Sequence, residues 1–266
     1  MRLSIFSILI ILAFQSATAQ SDRKEIDLAT AVMEQYRSLA PDDISGFHWV
    51  DEERFLHYGD NSDILLRSLN EDTLANIQLQ DVNDQLGSDT LFALRMRAVE
   101  NGVIYLQGPY TIYSIPVEGG DVKQVLVYPE NAQNSHFHPE SKSIAYTVGP
   151  NVFVKSQDSP EHQITMHDED GEVSAGIAIH RSEFGIREGL FWSEDGDKPG
   201  YYEMDEAEVT DYPLADYTNY PGTSRPLKYP MAGQESHEAR VGIYDAKRDT
   251  TYYLQTEGPK DQYLTN

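Results

Sequence analysis

A spacing that returns along the chain restricts its fold more than any single motif does. A bulky residue opens a strand-turn-strand unit that closes nine residues later, in the pairs Trp49 and Tyr58, Phe137 and Tyr146, and Trp192 and Tyr201, with a weaker copy in Arg97 and Leu106. Fifteen residues after the start of the first three units in chain order comes a third strand, at Ile64-Leu65-Leu66, Ile112-Tyr113 and Val152-Phe153-Val154. A fourth strand follows near Leu74, Val125 and Ile164. Unit starts lie 48, 40 and 55 residues apart. Four short strands per unit at such a period are the signature of propeller blades, whereas a sandwich would not repeat its internal spacing. In the last unit the third strand is delayed to Val241-Gly242-Ile243-Tyr244, so residues 203–240 are expected to form an insertion or an elongated hairpin. The closing strand is then Thr251-Tyr252-Tyr253-Leu254.

What precedes the repeat divides in two. Residues 1–19 have the parts of a secretory signal: Arg2, an apolar run over 5–14, and small residues at Ala17 and Ala19, with cleavage expected before Gln20. Over residues 20–44 the spacing of Leu28, Val32, Tyr36 and Leu39 puts them on one face of a helix, with Asp27 as N-cap and Pro41 beyond the stop. Residues 45–266 hold the four units. A blade needs a neighbour on each face, and the chain stops where a fifth unit would begin, so the expectation is a propeller cut short.

Composition removes several functions. With 44 Asp and Glu against 20 Lys and Arg, the net charge of -24 repels phosphate backbones and anionic membranes, so no nucleic-acid partner is expected. No stretch approaches the ~20 apolar residues of a spanning helix. The absence of cysteine rules out disulfides, thiolate metal sites and thiol nucleophiles. An exported protein of a bacterial periplasm or medium fits these facts. Neither a cofactor nor a metal is expected: His136 and His138 would share a strand face, but they flank the opening aromatic of a unit and no third ligand can be named. The acidic run from His167 has Val173 where a calcium loop needs glycine, and reads as an exposed turn. No Gly-x-Ser-x-Gly elbow occurs, since Gly222-Thr223-Ser224 lacks its second glycine and Gly171 and Gly176 have the wrong spacing. The chain alone is therefore expected to be inactive as a hydrolase. Tyrosines between Tyr201 and Tyr229 suit either a ligand platform or strand packing.

Several segments carry a family resemblance. They are Ile44-Ser45-Gly46-Phe47 with Trp49, Phe137-His138-Pro139-Glu140 before Ile144-Ala145-Tyr146, and above all His180-Arg181-Ser182-Glu183-Phe184-Gly185-Ile186 followed by Leu190-Phe191-Trp192-Ser193. Met204-Asp205, Val209-Thr210-Asp211-Tyr212-Pro213-Leu214, Tyr229-Pro230-Met231-Ala232-Gly233 and Val241-Gly242-Ile243-Tyr244-Asp245 continue the series. In this order they resemble the propeller of the dipeptidyl peptidase IV-like serine peptidases, in the prolyl oligopeptidase superfamily. The resemblance implies an all-β fold, a partial β-propeller of about four four-stranded blades out of eight, after a short N-terminal helix. It implies further blades and a C-terminal α/β-hydrolase domain with the catalytic Ser, Asp and His, and a homodimer at full length. In that family the propeller gates the cavity, and a Glu-Glu pair grips the substrate's free amino terminus. Glu183 takes the place of the second Glu and Ser182 that of the first, so half of the clamp is missing. The family's propeller arginine has no counterpart before Phe137. The implied partner is a peptide with a free, protonated N-terminus. A propeller that serves only as an interaction scaffold, with no enzymatic role, is the rival reading.

Overall fold

The computed structural model describes residues 26–40, 44–59, 61–87, 90–169 and 171–264, and the expected signal at 1–19 lies outside them. The chain divides into two units after Ile44. In the first, helix α1 (Leu28–Met33) starts as the sequence predicts, with the Asp27 carboxylate accepting the Thr30 N–H at 2.9 Å. It ends earlier than predicted: residues 35–39 are turns, so Tyr36 and Leu39 do not extend its face. None of its residues is buried. A helix that buries none of its residues is hard to lengthen, because helix nucleation is costly and Thr30 and Val32 are weak helix formers.

The second unit is built from antiparallel sheets taken in chain order. The first sheet is β1 (His48–Trp49), β2 (Arg54–Tyr58), β3 (Ile64–Ser68) and β4 (Thr73–Ile77). Helix α2 (Leu79–Leu86) leads to the second, β5 (Met96–Glu100), β6 (Val103–Gln107), β7 (Thr111–Pro116) and β8 (Lys123–Val127). The third is β9 (Gln133–His138), β10 (Ser143–Val148), β11 (Asn151–Ser156) and β12 (His162–Gln163). In the fourth, β13 (Val173–Ala175) and β14 (Leu190–Trp192) both pair with β15 (Pro199–Asp205), and β18 (Glu238–Asp245) and β19 (Thr250–Tyr253) follow. Between β15 and β18 stands a separate hairpin, β16 (Asp211–Asp216) with β17 (Thr223–Lys228). The predicted insertion is thus real but narrower than 203–240, because Glu203 and Arg240 are themselves paired across β15 and β18.

Alternation along the strands decides how the sheets meet. Leu56, Ile64 and Leu66 of the first sheet are buried and pack with Ile104, Leu106, Tyr113 and Ile115 of the second. The opposite face of the second sheet, through Tyr105, Ile112 and Leu126, meets Phe137, Ile144 and Tyr146 of the third. Ala145 and Val152 on the third sheet's other face meet Ala175, Leu190 and Tyr201 of the fourth. The second and third sheets therefore have a different neighbour on each side and the first and fourth one each, which is the stacking of a partial β-propeller. The two end faces carry rings and aliphatics as well. Phe47 lies 5.1 Å from Trp49 and 5.2 Å from Phe55 on the first sheet. A groove of about 390 Å³ on the fourth is lined by Phe191, Tyr202, Val241, Ile243 and Tyr252.

Helix α2 is an element the strand spacing did not announce. Leu79, Val82 and Leu86 at helical intervals and Gly87 at the left-handed C-cap were its signals. It is tied down by Asn83, whose amide donates to the Leu91 carbonyl at 2.9 Å and accepts the Leu91 N–H at 3.0 Å.

Candidate functional site

The inner strand of the fourth sheet is interrupted at one residue's width. Ala175 is opposite Glu203, and Leu190 is opposite Tyr201. Between them, Tyr202 accepts the Gly176 N–H at 2.8 Å and donates its own N–H to the Gly189 carbonyl at 3.0 Å. Residues 177–188 consequently leave the strand and return to it on the same partner. Both ends of this excursion need glycine. Gly176 has φ +74, and a Cβ there would stand 2.6 Å from Thr147 Cγ2 and 2.8 Å from Val152 Cγ2. A Cβ on Gly189 would lie 2.2 Å from the Ile177 carbonyl oxygen. Inside the neck, Ile179 and Ile186 are buried against Tyr202 and Ala239, which fixes the loop to the sheet face.

The tip is a short 3-10 helix (His180–Gly185) that carries Glu183. His180, Ser182 and Phe184 have φ of 52, 60 and 54, a left-handed region that non-glycine residues adopt at a cost of ~1–2 kcal/mol each and keep only where surroundings enforce it. Those surroundings are visible. The buried His180 ring lies 4.5 Å from the Tyr263 ring, and Phe184 meets the same ring edge-on at 5.3 Å. The Tyr263 hydroxyl donates to Glu183 Oε2 at 3.0 Å, and this bond to a carboxylate raises the pKa of the phenol. Glu183 itself is exposed, as is Ser182 beside it. A carboxylate with one oxygen steadied by a phenol and the side chain open to solvent can accept a charge-assisted hydrogen bond from a cation.

The other residues singled out in the sequence are used structurally. His136 Nδ1 is 2.6 Å from the Leu190 carbonyl oxygen, and His138 is bonded to Ser141 Oγ at 3.0 Å and to the Glu194 carbonyl at 3.2 Å. The two imidazoles thereby fasten the third sheet to the fourth. Among the described residues, no group of three His, Cys, Asp or Glu is placed to hold a metal ion. The tyrosines separate: Tyr201 and Tyr202 are buried in the sheet cores, while Tyr212 and Tyr229 meet at 6.1 Å at the exposed hairpin. Ser224 lies on that hairpin.

Sequence reading passed over Glu203, which is 2% exposed. Arg240 holds its Oε1 through Nε at 2.6 Å and through a second guanidinium nitrogen, Tyr253 donates to Oε2 at 2.8 Å, and His167 Nε2 stands 3.2 Å from Oε2. Arg240 also lies over the Tyr253 ring at 4.0 Å. Burial and the bond to Glu203 raise the Tyr253 phenol pKa. A signal existed: Glu203 stands eleven residues into its unit, where the third unit has Val148.

Stacked antiparallel sheets, with an exposed carboxylate carried on an excursion from an inner strand, define a partial β-propeller. The model for the dipeptidyl peptidase IV (DPP IV) N-terminal region matches residues 88–266, and the chain belongs to that family. A solved structure from Bacteroides ovatus, assigned as a dipeptidyl aminopeptidase IV, is 27% identical with a TM-score of 0.68, covering 85% of this chain and 32% of that one. Porphyromonas gingivalis dipeptidyl peptidase 4 shares the fold, at 18% identity and a TM-score of 0.62, over 91% of this chain and 36% of that one. A relative assigned as dipeptidyl-aminopeptidase B of Phaeosphaeria nodorum is 23% identical over 59% of this chain and 19% of its own length. The chain thus spans between 19% and 36% of the relatives named here.

Proposed function

We propose that this chain is the substrate-gating, amino-terminus-binding propeller portion of an exported serine-type dipeptidyl peptidase. Bond breaking falls to an α/β-hydrolase domain outside it, and further blades complete the ring. Export to the periplasm or medium follows from the signal-like residues 1–19, and no helix among the described residues is long and apolar enough to cross a membrane. The observation that supports the reading is the exposed Glu183 carboxylate on an excursion from the fourth sheet's inner strand, steadied by Tyr263. Its ligand is the protonated amine of a peptide, which a chain of net charge -24 attracts. Ser182 adds a hydroxyl beside it where a second acid would strengthen the grip.

The test is Glu183→Gln in the intact peptidase, assayed on matched dipeptide substrates with a free or an acetylated amine. Removing one charge-assisted hydrogen bond is expected to lower kcat/KM about 10- to 150-fold on the free-amine substrate. The lower end is favoured with Ser182 as neighbour. Acetylated substrate should barely respond. Equal losses on both substrates, or none, would make Glu183 a structural rim residue. The isolated 266-residue chain is expected to leave Gly-Pro chromogenic substrates intact. Turnover that survives repurification and is abolished by a serine-directed inhibitor would contradict the division of labour.

A further inference from the structure

Beneath Glu183 lie two buried imidazoles that its recognition role does not use. His180 and His237 are 3% and 5% exposed, with ring centroids 5.0 Å apart. The Leu264 N–H donates to His180 Nε2 at 2.9 Å, so that nitrogen carries no proton. A neutral imidazole then keeps its proton on Nδ1, which faces His237 Nε2 at 3.0 Å and donates to it. Both rings are thereby defined as neutral, each in one tautomer. A second proton on His180 can go only to Nε2, against the Leu264 N–H. A proton on His237 Nε2 would oppose the His180 Nδ1–H. Either event sets two donors against each other and adds a buried charge.

We infer that His180 is a positioning residue for Glu183, and that protonation of the His180–His237 pair releases the turn from residues 263–264, so that amine recognition weakens in acid. The chain of contacts is short. His180 holds Leu264 through its ring nitrogen and Tyr263 through its ring face, and Tyr263 holds Glu183. The groups facing His180 are His237 from the segment leading into β18, Tyr263 from the last residues and Glu183 from its own turn. Next to His237 in the chain, Glu238 is paired with Lys260 at 3.0 Å. Burial and then His237 lower the His180 pKa from 6.5, with Glu183 opposing them. The sign follows: a base whose folded pKa is depressed contributes stability in full above the unfolded value of 6.5, and that contribution is lost as pH falls below it through the folded value. The inference rests on the reading of Glu183 as the amine acceptor, but the latch can be measured without any peptide.

The experiment follows amide exchange at Leu264 in the 266-residue chain between pH 8 and pH 5, corrected for intrinsic exchange, beside an NMR titration of the imidazoles. Wild-type protection is expected to fall by about tenfold or more as the pair takes up a proton. His180→Gln offers a carbonyl that accepts the Leu264 N–H without titrating, and should hold protection nearly level across the range. Wild-type protection that does not change, or two imidazoles titrating independently near the ordinary value, overturns the latch and needs no variant to fold. The same fall in His180→Gln also overturns it. In the intact peptidase, the preference for free over acetylated amine should shrink from pH 8 to pH 5.5 in wild type and less in His180→Gln. If that preference is absent at pH 8 while Leu264 behaves as expected, the latch stands and the amine reading fails.

Discussion

The third and fourth sheets follow one plan, and they differ where the fourth has been interrupted. In the third, β9 is continuous, β10 buries five of its six residues, and β11 begins at Asn151 directly after a tight turn from Val148. In the fourth, the equivalent inner strand is split into β13 and β14, and a hairpin stands between β15 and β18. Tyr146 and Tyr201, nine residues into their units, are buried at the same place in both. Two residues further, Val148 of the third is replaced by the buried Glu203 of the fourth. Side chains that pack against a neighbouring sheet, as most of β10 does, are closed to a ligand. The interruption leaves side chains such as Glu183 exposed, and polar ties such as Glu203 with Arg240 join the strands of the broken sheet.

This contrast can be broken by mutation. The largest effect is expected where a charge is left buried. Arg240→Ala strips the guanidinium from a carboxylate that is 2% exposed, and should cost about 3–5 kcal/mol in denaturant unfolding. Glu203→Gln should cost less, since the Arg240 side chain is 57% exposed and can recover water. Equal costs would mean that the carboxylate is not the group at risk. At the neck, Gly176→Ala combines a left-handed φ with close contacts to Thr147 and Val152, for an expected loss of about 2–4 kcal/mol. At the tip, Gly185 shares a positive φ of +81 but has nothing within 4 Å of an added Cβ. Gly185→Ala should therefore cost only the backbone part, about 1–2 kcal/mol. A tip as sensitive as the neck would show that the excursion is not anchored at its glycines. The smallest change is Trp192→Phe, which removes the indole N–H bond to the His136 carbonyl at 3.0 Å between the third and fourth sheets, worth about 1 kcal/mol.

The fold was legible because its signal is periodic. Trp49, Phe137 and Trp192 open units whose strands recur at fixed offsets, and burial in the sheets follows the alternation those offsets impose. Departures from the period were harder to see. Strand β13 (Val173–Ala175) was not announced, because its partners, residues 203–205, are separated from it by the whole excursion and three residues carry too little alternation to mark a strand. Helix α2 was hidden in a stretch read for strands. At the site, Glu183 was found chiefly through resemblance, with its place beside Gly185 as the local sign. Its supports could not be found that way, because His237 and Tyr263 lie 54 and 80 residues further along the chain and come to the turn only through the folded sheet.

The most direct measurement is the position of the amino nitrogen of a bound dipeptide in a crystal of the whole protein soaked with that dipeptide. The nitrogen is expected within about 2.7–3.2 Å of a Glu183 carboxylate oxygen, with Tyr263 still bonded to Oε2 at 3.0 Å. An amine bound at other carboxylates, with Glu183 left to solvent, would contradict the role assigned to the excursion.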